Sequence, residues 1–255
     1  MGTSTSSDVS DRRGTFAQLL SHEPTDTDAM TGLLFLTETF SAIDETVVDC
    51  WNGQCKLSDG VCDSLDRRRA LQLFQAQRRA RDACLTGNFI NMPSSAHMTL
   101  SALAATQQAD ISVTHFWLLN RLWSLCLAHG LLRSTSAHPE LRYDFACYIA
   151  KALWATCKTL PFAAMEVHGV GLAEKIYDIA LGVVTAVRID SQLSLQTDLT
   201  HPDPDQVLAV TLLLDDEVPD VETLLQSFSA VLNNFRGGDH NYGLQLESAL
   251  GSIST

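Results

Sequence analysis

Positive charge is scarce in this sequence. Seventeen lysines and arginines face thirty aspartates and glutamates, a formal net charge of −13 over 255 residues. A free-standing nucleic-acid binder needs a basic footprint on the phosphates, and a coat on anionic membranes needs the same, so neither is expected. Long apolar runs are missing too. The first twenty residues, MGTSTSSDVSDRRGTFAQLL, hold no apolar stretch of signal-peptide length, and stretches such as Leu208 to Leu214 fall short of a membrane span. A soluble, intracellular protein is expected, nuclear or alternatively cytoplasmic, not secreted and not on a membrane. Gly2 with Ser6 loosely fits a myristoylation pattern, but no polybasic patch accompanies it, and the Ser/Thr-rich residues 1–25 read as a disordered tail.

Sequence signatures of catalysis are equally sparse. No Gly-x-Ser-x-Gly elbow and no His-Glu-x-x-His helix occurs. The HGVGLAEK segment has Gly169 and Gly171, but Glu174 stands where a dinucleotide fingerprint needs a third glycine, and no strand precedes it. The DDEVPD segment, with Asp215, Asp216 and Asp220, resembles an aspartate-rich box that grips magnesium and diphosphate. Pro219 interrupts it, and a solvated acidic loop is the better account. The eight histidines are scattered; His115 and His168 lie nearest apolar helices and read as structural, with no Asp or Cys partner at catalytic spacing. No catalytic residue, no cofactor and no enzyme activity is expected.

Seven cysteines at 50, 55, 62, 84, 126, 147 and 157 are an odd number without an export signal, and read as reduced thiols. Cys126, Cys147 and Cys157 lie in apolar periodic stretches as small core residues. Cys50, Cys55 and Cys62 form the only cluster. Zinc knots usually present thiolate pairs two residues apart, whereas these gaps are four and six residues and Cys84 lies far downstream. The stretch Trp51 to Cys62, with Gly53 and Gly60, reads as a connecting loop that carries thiols, and no metal is expected.

What the sequence does contain is helix. Hydrophobic residues make up 45%, enough for a sizeable core, and strand alternation is nowhere sustained. Helical spacing runs from Asp26 through Met30, Leu33, Phe40 and Ile43 to Val47. Further helices are expected at Ser64–Leu85, stopped by Gly87, at Ser95–Gln108, and at Ser112–His129 with Gly130 as C-cap. Others follow from Pro139 to Lys158, from Pro161 to Arg188 with breaks at Gly169 and Gly171, at Asp205–Leu214 and at Val221–Phe235. The fold class is all-α, an irregular multi-helix bundle of antiparallel helices. Its divisions are the tail 1–25, a helical core 26–189, and an acidic helical extension 190–255 packing on that core.

Charge is uneven along the chain. From Ile189 onward eleven acidic residues stand against Arg236 alone, −10 of the total −13. Six arginines, Arg67, Arg68, Arg69, Arg78, Arg79 and Arg81, crowd one helix. At 100° per residue Arg67 nearly coincides with Arg78, and Arg68 with Arg79, forming one ridge. The ridge is either a solvated face balancing the acidic tail or a contact for a phosphate or acidic partner. Phe116, Trp117, Trp123, Phe145, Tyr148 and Trp154 concentrate in two consecutive helices. They are either plain core or, with His115 and His168, the lining of an apolar ligand pocket or a dimer face.

The stretch DISVTHFWLLNRLWSLCLAHGLL, Asp110 to Leu132, resembles a segment of fungal Zn2Cys6 (binuclear zinc cluster) transcription factors, aflatoxin-regulator relatives among them. The matching features are Ile111, Trp117, Trp123, Gly130, Leu131 and Leu132. Arg142 to Val184 is similar to the helical C-terminal part of the same proteins. The family's N-terminal six-cysteine knot is not in this sequence. The resemblance therefore implies the regulatory part of such a factor without its DNA reader, regulating a secondary-metabolite gene cluster. It implies other transcription factors or co-regulators as partners, a homodimer as a further candidate, and no direct nucleic-acid contact. Acidic residues interspersed with Leu208, Leu212, Leu213, Leu214, Leu224, Leu225 and Phe228 suit an activation surface, unless those leucines are ordinary core. A helical bundle binding or acting on an apolar metabolite is the alternative.

Overall fold

Three helices begin on an aspartate whose carboxylate accepts the backbone N–H three residues on. Asp44 caps through Val47, Asp66 through Arg69 and Asp220 through Thr223, at 3.0, 2.6 and 2.9 Å. In the computed structural model, which describes residues 24–58, 61–88, 99–197, 220–236 and 241–251, these caps open three of nine α-helices. They are α1 (Pro24–Phe40), α2 (Glu45–Trp51), α3 (Arg67–Thr86), α4 (Ala105–Ala128), α5 (Phe145–Thr159), α6 (Phe162–Glu166), α7 (Gly169–Thr197), α8 (Val221–Asn234) and α9 (Tyr242–Gly251). The only strands among the described residues are β1 (Leu57–Ser58) and β2 (Val61–Cys62), a two-residue antiparallel pair with Leu57 opposite Cys62. The expected all-α architecture is what the structure shows.

Helix α4 is central. It is buried at Val113, Leu118, Leu122, Trp123 and Cys126, which lie on more than one of its faces, as a helix packed on several sides requires. Helices α5 and α7 pack against it and against each other, and α1, α3 and α6 cover its remaining faces. Ile149 and Leu153 of α5 and Ile176, Ile179 and Val183 of α7 are fully enclosed in the same core as α4. Gly182 of α7 faces α4, and a Cβ there would fall on Asn120 Oδ1.

The helix boundaries differ from the sequence reading in physically intelligible ways. The first pattern does not run on to Val47. It turns at Ser41 and Ala42, and the Asp44 cap starts α2 as a separate helix. The helices expected at Ser95–Gln108 and Ser112–His129 are one helix from Ala105, preceded by a 3-10 turn at Leu100–Ala102; residues 89–98 lie outside the described ones. Pro139 opens only a 3-10 turn, Pro139–Leu141, and α5 starts at Phe145. Leu141 between them is fully buried, and its carbonyl accepts from the Arg133 amide. The expected break at Gly169 is present, with φ of +60° there, whereas Gly171 is inside α7. Helix α7 continues past Asp190 to Thr197.

The Asp205–Leu214 helix, seven of the eleven acidic residues after Ile189 and the residue 1–23 part of the tail lie outside the described residues. Helix α9, absent from the sequence reading, packs on α7 and α8, with Leu246 buried and Tyr242 stacked on Tyr177 at 4.9 Å. Leu224, Leu225 and Phe228 of α8 are enclosed in the main core, the Phe228 ring edge-on to Trp154 at 5.7 Å. They are core residues, not an activation surface. No described helix is long and apolar enough to cross a membrane.

Candidate metal centre

Cys50 sits in the last turn of α2. The chain then reverses through Asn52 and Gly53, whose φ of +68° is a left-handed conformation that glycine adopts without a Cβ clash. Amides of Gly53 and Gln54 bond back to the carbonyls of Cys50 and Asp49, which folds Cys55 toward Cys50. Strand β2 returns Cys62 to the same place. A fourth group comes from the far end of α4, where His129 is the C-cap residue.

Ligand atoms of Cys50, Cys55, Cys62 and His129 all lie within 4.8 Å of one another. Cys50 Sγ and Cys62 Sγ are 3.6 Å apart, and Cys55 Sγ is 3.4 Å from His129 Nε2. His129 Nδ1 lies 2.8 Å from the Leu125 carbonyl oxygen. That oxygen only accepts, so Nδ1 carries the proton and the Nε2 lone pair faces the sulfurs. Cys50 and Cys62 are buried, while Cys55 and His129 are half-buried.

The electrostatics divide the thiols. Burial pushes Cys50 up to about 12, and its contact with Cys62 adds to the rise. Burial also acts to raise Cys62. The amides of Ser64 and Leu65, together with the Cys50 thiol, donate to its sulfur and hold it below the ordinary thiol value. Cys126 and Cys157, by contrast, are pushed up to about 12 by burial alone, as inert core thiols are.

The three cysteines stand out in the sequence, but their spacing offers no fourth ligand. What spacing misses is His129, whose only local signal is its place directly before Gly130 at a helix end.

Residues read as an apolar pocket or dimer face are not gathered around one space. Trp123 is enclosed, and its Nε1 donates to the Arg142 carbonyl at 3.0 Å. Trp117 donates to Asp178 Oδ2 at 2.9 Å and lies 5.3 Å from Trp51, with the Arg121 guanidinium over the Trp51 ring. Trp154 meets Phe228. Phe116 lies beneath Arg81, and His115 is buried beside it. Burial, with Arg81 nearby, pushes the His115 pKa down to about 3, so it is neutral. His168 Nε2 donates to the Thr106 carbonyl at 2.9 Å, tying the start of α7 to the start of α4.

The arginines of α3 divide similarly. Arg69 pairs with Asp44, Arg78 with Glu140, and Arg67 donates to Ser136 at 3.0 Å. Arg68 and Arg79 are exposed, with no ion pair among the described residues. An open groove of about 610 Å³ runs beside Arg68, lined by Asp66, Arg67, Arg68, Leu71, Gln72 and Gln75. Asp220, the one described residue of the aspartate-rich segment, is occupied as the α8 cap. No protein-family model, no curated protein and no solved structure matches this chain.

Proposed function

We propose that this chain is a helical regulator or co-regulator of transcription for a fungal secondary-metabolite gene cluster, acting by protein–protein contact without a zinc-cluster DNA reader of its own. The observation that supports it best is that the two segments resembling zinc-cluster factors, Asp110 to Leu132 and Arg142 to Val184, supply most of α4, all of α5 and just over half of α7. These three helices pack on one another at the centre of the bundle. The likeness therefore falls on one packed unit rather than on scattered surface helices. A net charge of −13 disfavours DNA as the direct partner.

The surface of α3 offers the contact. Arg68 and Arg79 face solvent on the ridge, and the groove beside Arg68 mixes apolar Leu71 with amides of Gln72 and Gln75. Such a surface suits an acidic amphipathic segment of another regulator, with charge setting specificity and encounter rate. The test is affinity capture of the tagged chain from a fungal extract, with transcript levels of the cluster measured alongside. Recovery of a transcription factor with the parent chain, and its loss from the Arg68→Glu, Arg79→Glu double variant with unchanged circular dichroism, is the expected result. Capture of no transcription factor, or a gel shift of promoter DNA by the purified chain alone, overturns the reading.

A further inference from the structure

We propose that Cys50, Cys55, Cys62 and His129 bind one zinc ion in a closed tetrahedral site that staples α2 and the β1–β2 hairpin to the C-terminal end of α4. This inference stands on the geometry of the four side chains and is independent of the regulatory reading. With Zn–S near 2.3 Å and Zn–N near 2.05 Å, a regular tetrahedron sets its S···S edge at about 3.8 Å and its S···N edge at about 3.6 Å. The measured Cys50–Cys62 and Cys55–His129 separations, 3.6 and 3.4 Å, lie within about 0.2 Å of those edges. The Cys50–Cys62 sulfurs are much farther apart than a covalent bond of about 2.05 Å. Four residues separate Cys50 from Cys55, the long end of the usual structural-zinc spacing.

The surroundings of the ligands are those a zinc site needs. His129 donates its other ring N–H to the Leu125 carbonyl, which fixes the tautomer and aims Nε2 at the sulfurs. Three sulfurs and one imidazole fill four positions, leaving none for water or substrate, so the site is structural rather than catalytic. Zinc(II) is favoured over harder cations because all four donors are sulfur or imidazole nitrogen. On binding, each of the three thiols gives up its proton to solvent as its Zn–S bond forms, and the neutral histidine releases none.

A staple has physical purpose here. Helix α2 is only seven residues long, and its other ties to the body are few. Trp51 rests against Trp117 under Arg121, Asp44 pairs with Arg69, and Val47 and Cys50 enter the core. So short a helix is not stable by itself. The metal joins residues 50 to 62 to residue 129, closing a long loop of chain.

The experiment is metal analysis of the full chain purified without chelator, followed by cobalt(II) titration of the chelator-stripped protein. One zinc per chain is expected, with intense visible bands of tetrahedral cobalt and thiolate-to-cobalt charge transfer that one equivalent of zinc abolishes. Cys55→Ser and His129→Ala should weaken zinc binding by more than the roughly 10–100-fold that loss of an outer-shell partner costs. Cys147→Ser, outside the cluster, should keep full stoichiometry. Cys55 and His129 are half-buried, which limits the folding damage of their replacement. If both variants still misfold, His129→Cys supplies a fourth sulfur and should retain zinc with cobalt bands shifted toward those of an all-thiolate site. Zinc-free protein that also fails to bind cobalt overturns the proposal, as does a Cys50–Cys62 disulfide in the freshly isolated chain, or full zinc content in both ligand variants.

Discussion

Replacing Phe228 with alanine separates a buried acidic-region helix from a solvent-facing one. The side chain has 0% exposure and meets the Trp154 ring edge-on, so its removal empties a space between α8 and α5 that the backbone of two long helices cannot collapse to fill. Phe→Ala at such sites costs about 3–5 kcal/mol, part of it the lost ring–ring contact. For a chain of this size each kcal/mol moves the melting temperature by about 2–4 °C, so a fall of roughly 6–20 °C is expected in thermal unfolding followed by circular dichroism. Leu244→Ala is the matched control. Leu244 is 61% exposed on α9, and its truncation should shift stability by no more than about 0.5 kcal/mol. A Phe228→Ala chain melting within about 2 °C of the parent would refute the placement of α8 in the core, since that corresponds to at most about 1 kcal/mol.

Gly182→Ala should cost about 1–3 kcal/mol in a denaturant titration, because the new methyl group displaces Asn120 and strands its hydrogen bond to the Asp178 carbonyl. Asp44→Ala should cost about 0.5–2 kcal/mol by uncapping α2. Burial acts to raise the Asp44 pKa, but the Thr46 hydroxyl, the Val47 amide and Arg69 together lower it. Its contribution is therefore fully present above the unfolded carboxylate pKa, about 4, and is lost as pH falls through the lower folded value; acid unfolding of Asp44→Asn should be correspondingly shallower than that of the parent. His115 has a folded pKa near 3, well below its unfolded value of about 6.5. Stability is complete above pH about 6.5 and falls by up to about 1.4 kcal/mol per unit on acidification toward 3, a slope that His115→Leu should remove from the melting curve between pH 4 and 7.

Periodicity alone was enough to place the long helices, because a buried helix repeats its apolar residues wherever it is packed. Cys126, Cys157 and Trp123 fell into such repeats and are enclosed, and Gly87 and Gly130 stand at the helix ends assigned to them, both with left-handed φ. Short-range competition was harder to see. Asp44 lies inside an apolar repeat that continues to Val47, and only the cap it makes with the Val47 amide turns one long helix into two. At Pro139 the rigid φ suits a helix start, yet the buried Leu141 and the Arg133–Leu141 backbone bond hold the chain in a 3-10 turn instead. Helix α9 escaped because its amphipathic face is narrow: Leu246 alone among its leucines is fully buried.

The metal centre shows why a cluster of like residues is a weaker guide than the end of a helix. Local spacing decides which ligands one turn can present, and by that rule Cys50, Cys55 and Cys62 looked incomplete. Distance along the chain says nothing about the fourth ligand, since α4 is 24 residues long and carries its C-cap about 36 Å from its first turn. His129 reaches the sulfurs because α4 ends where α2 and the hairpin dock, and that coincidence is set by the packing of Trp51 on Trp117 and of Val47 and Leu65 into the core. The same packing explains why Nε2 rather than Nδ1 faces the cluster. The Leu125 carbonyl, four residues back, accepts both the His129 amide and Nδ1–H, and this second bond turns Nε2 toward the thiols. The site is thus a consequence of where one helix stops.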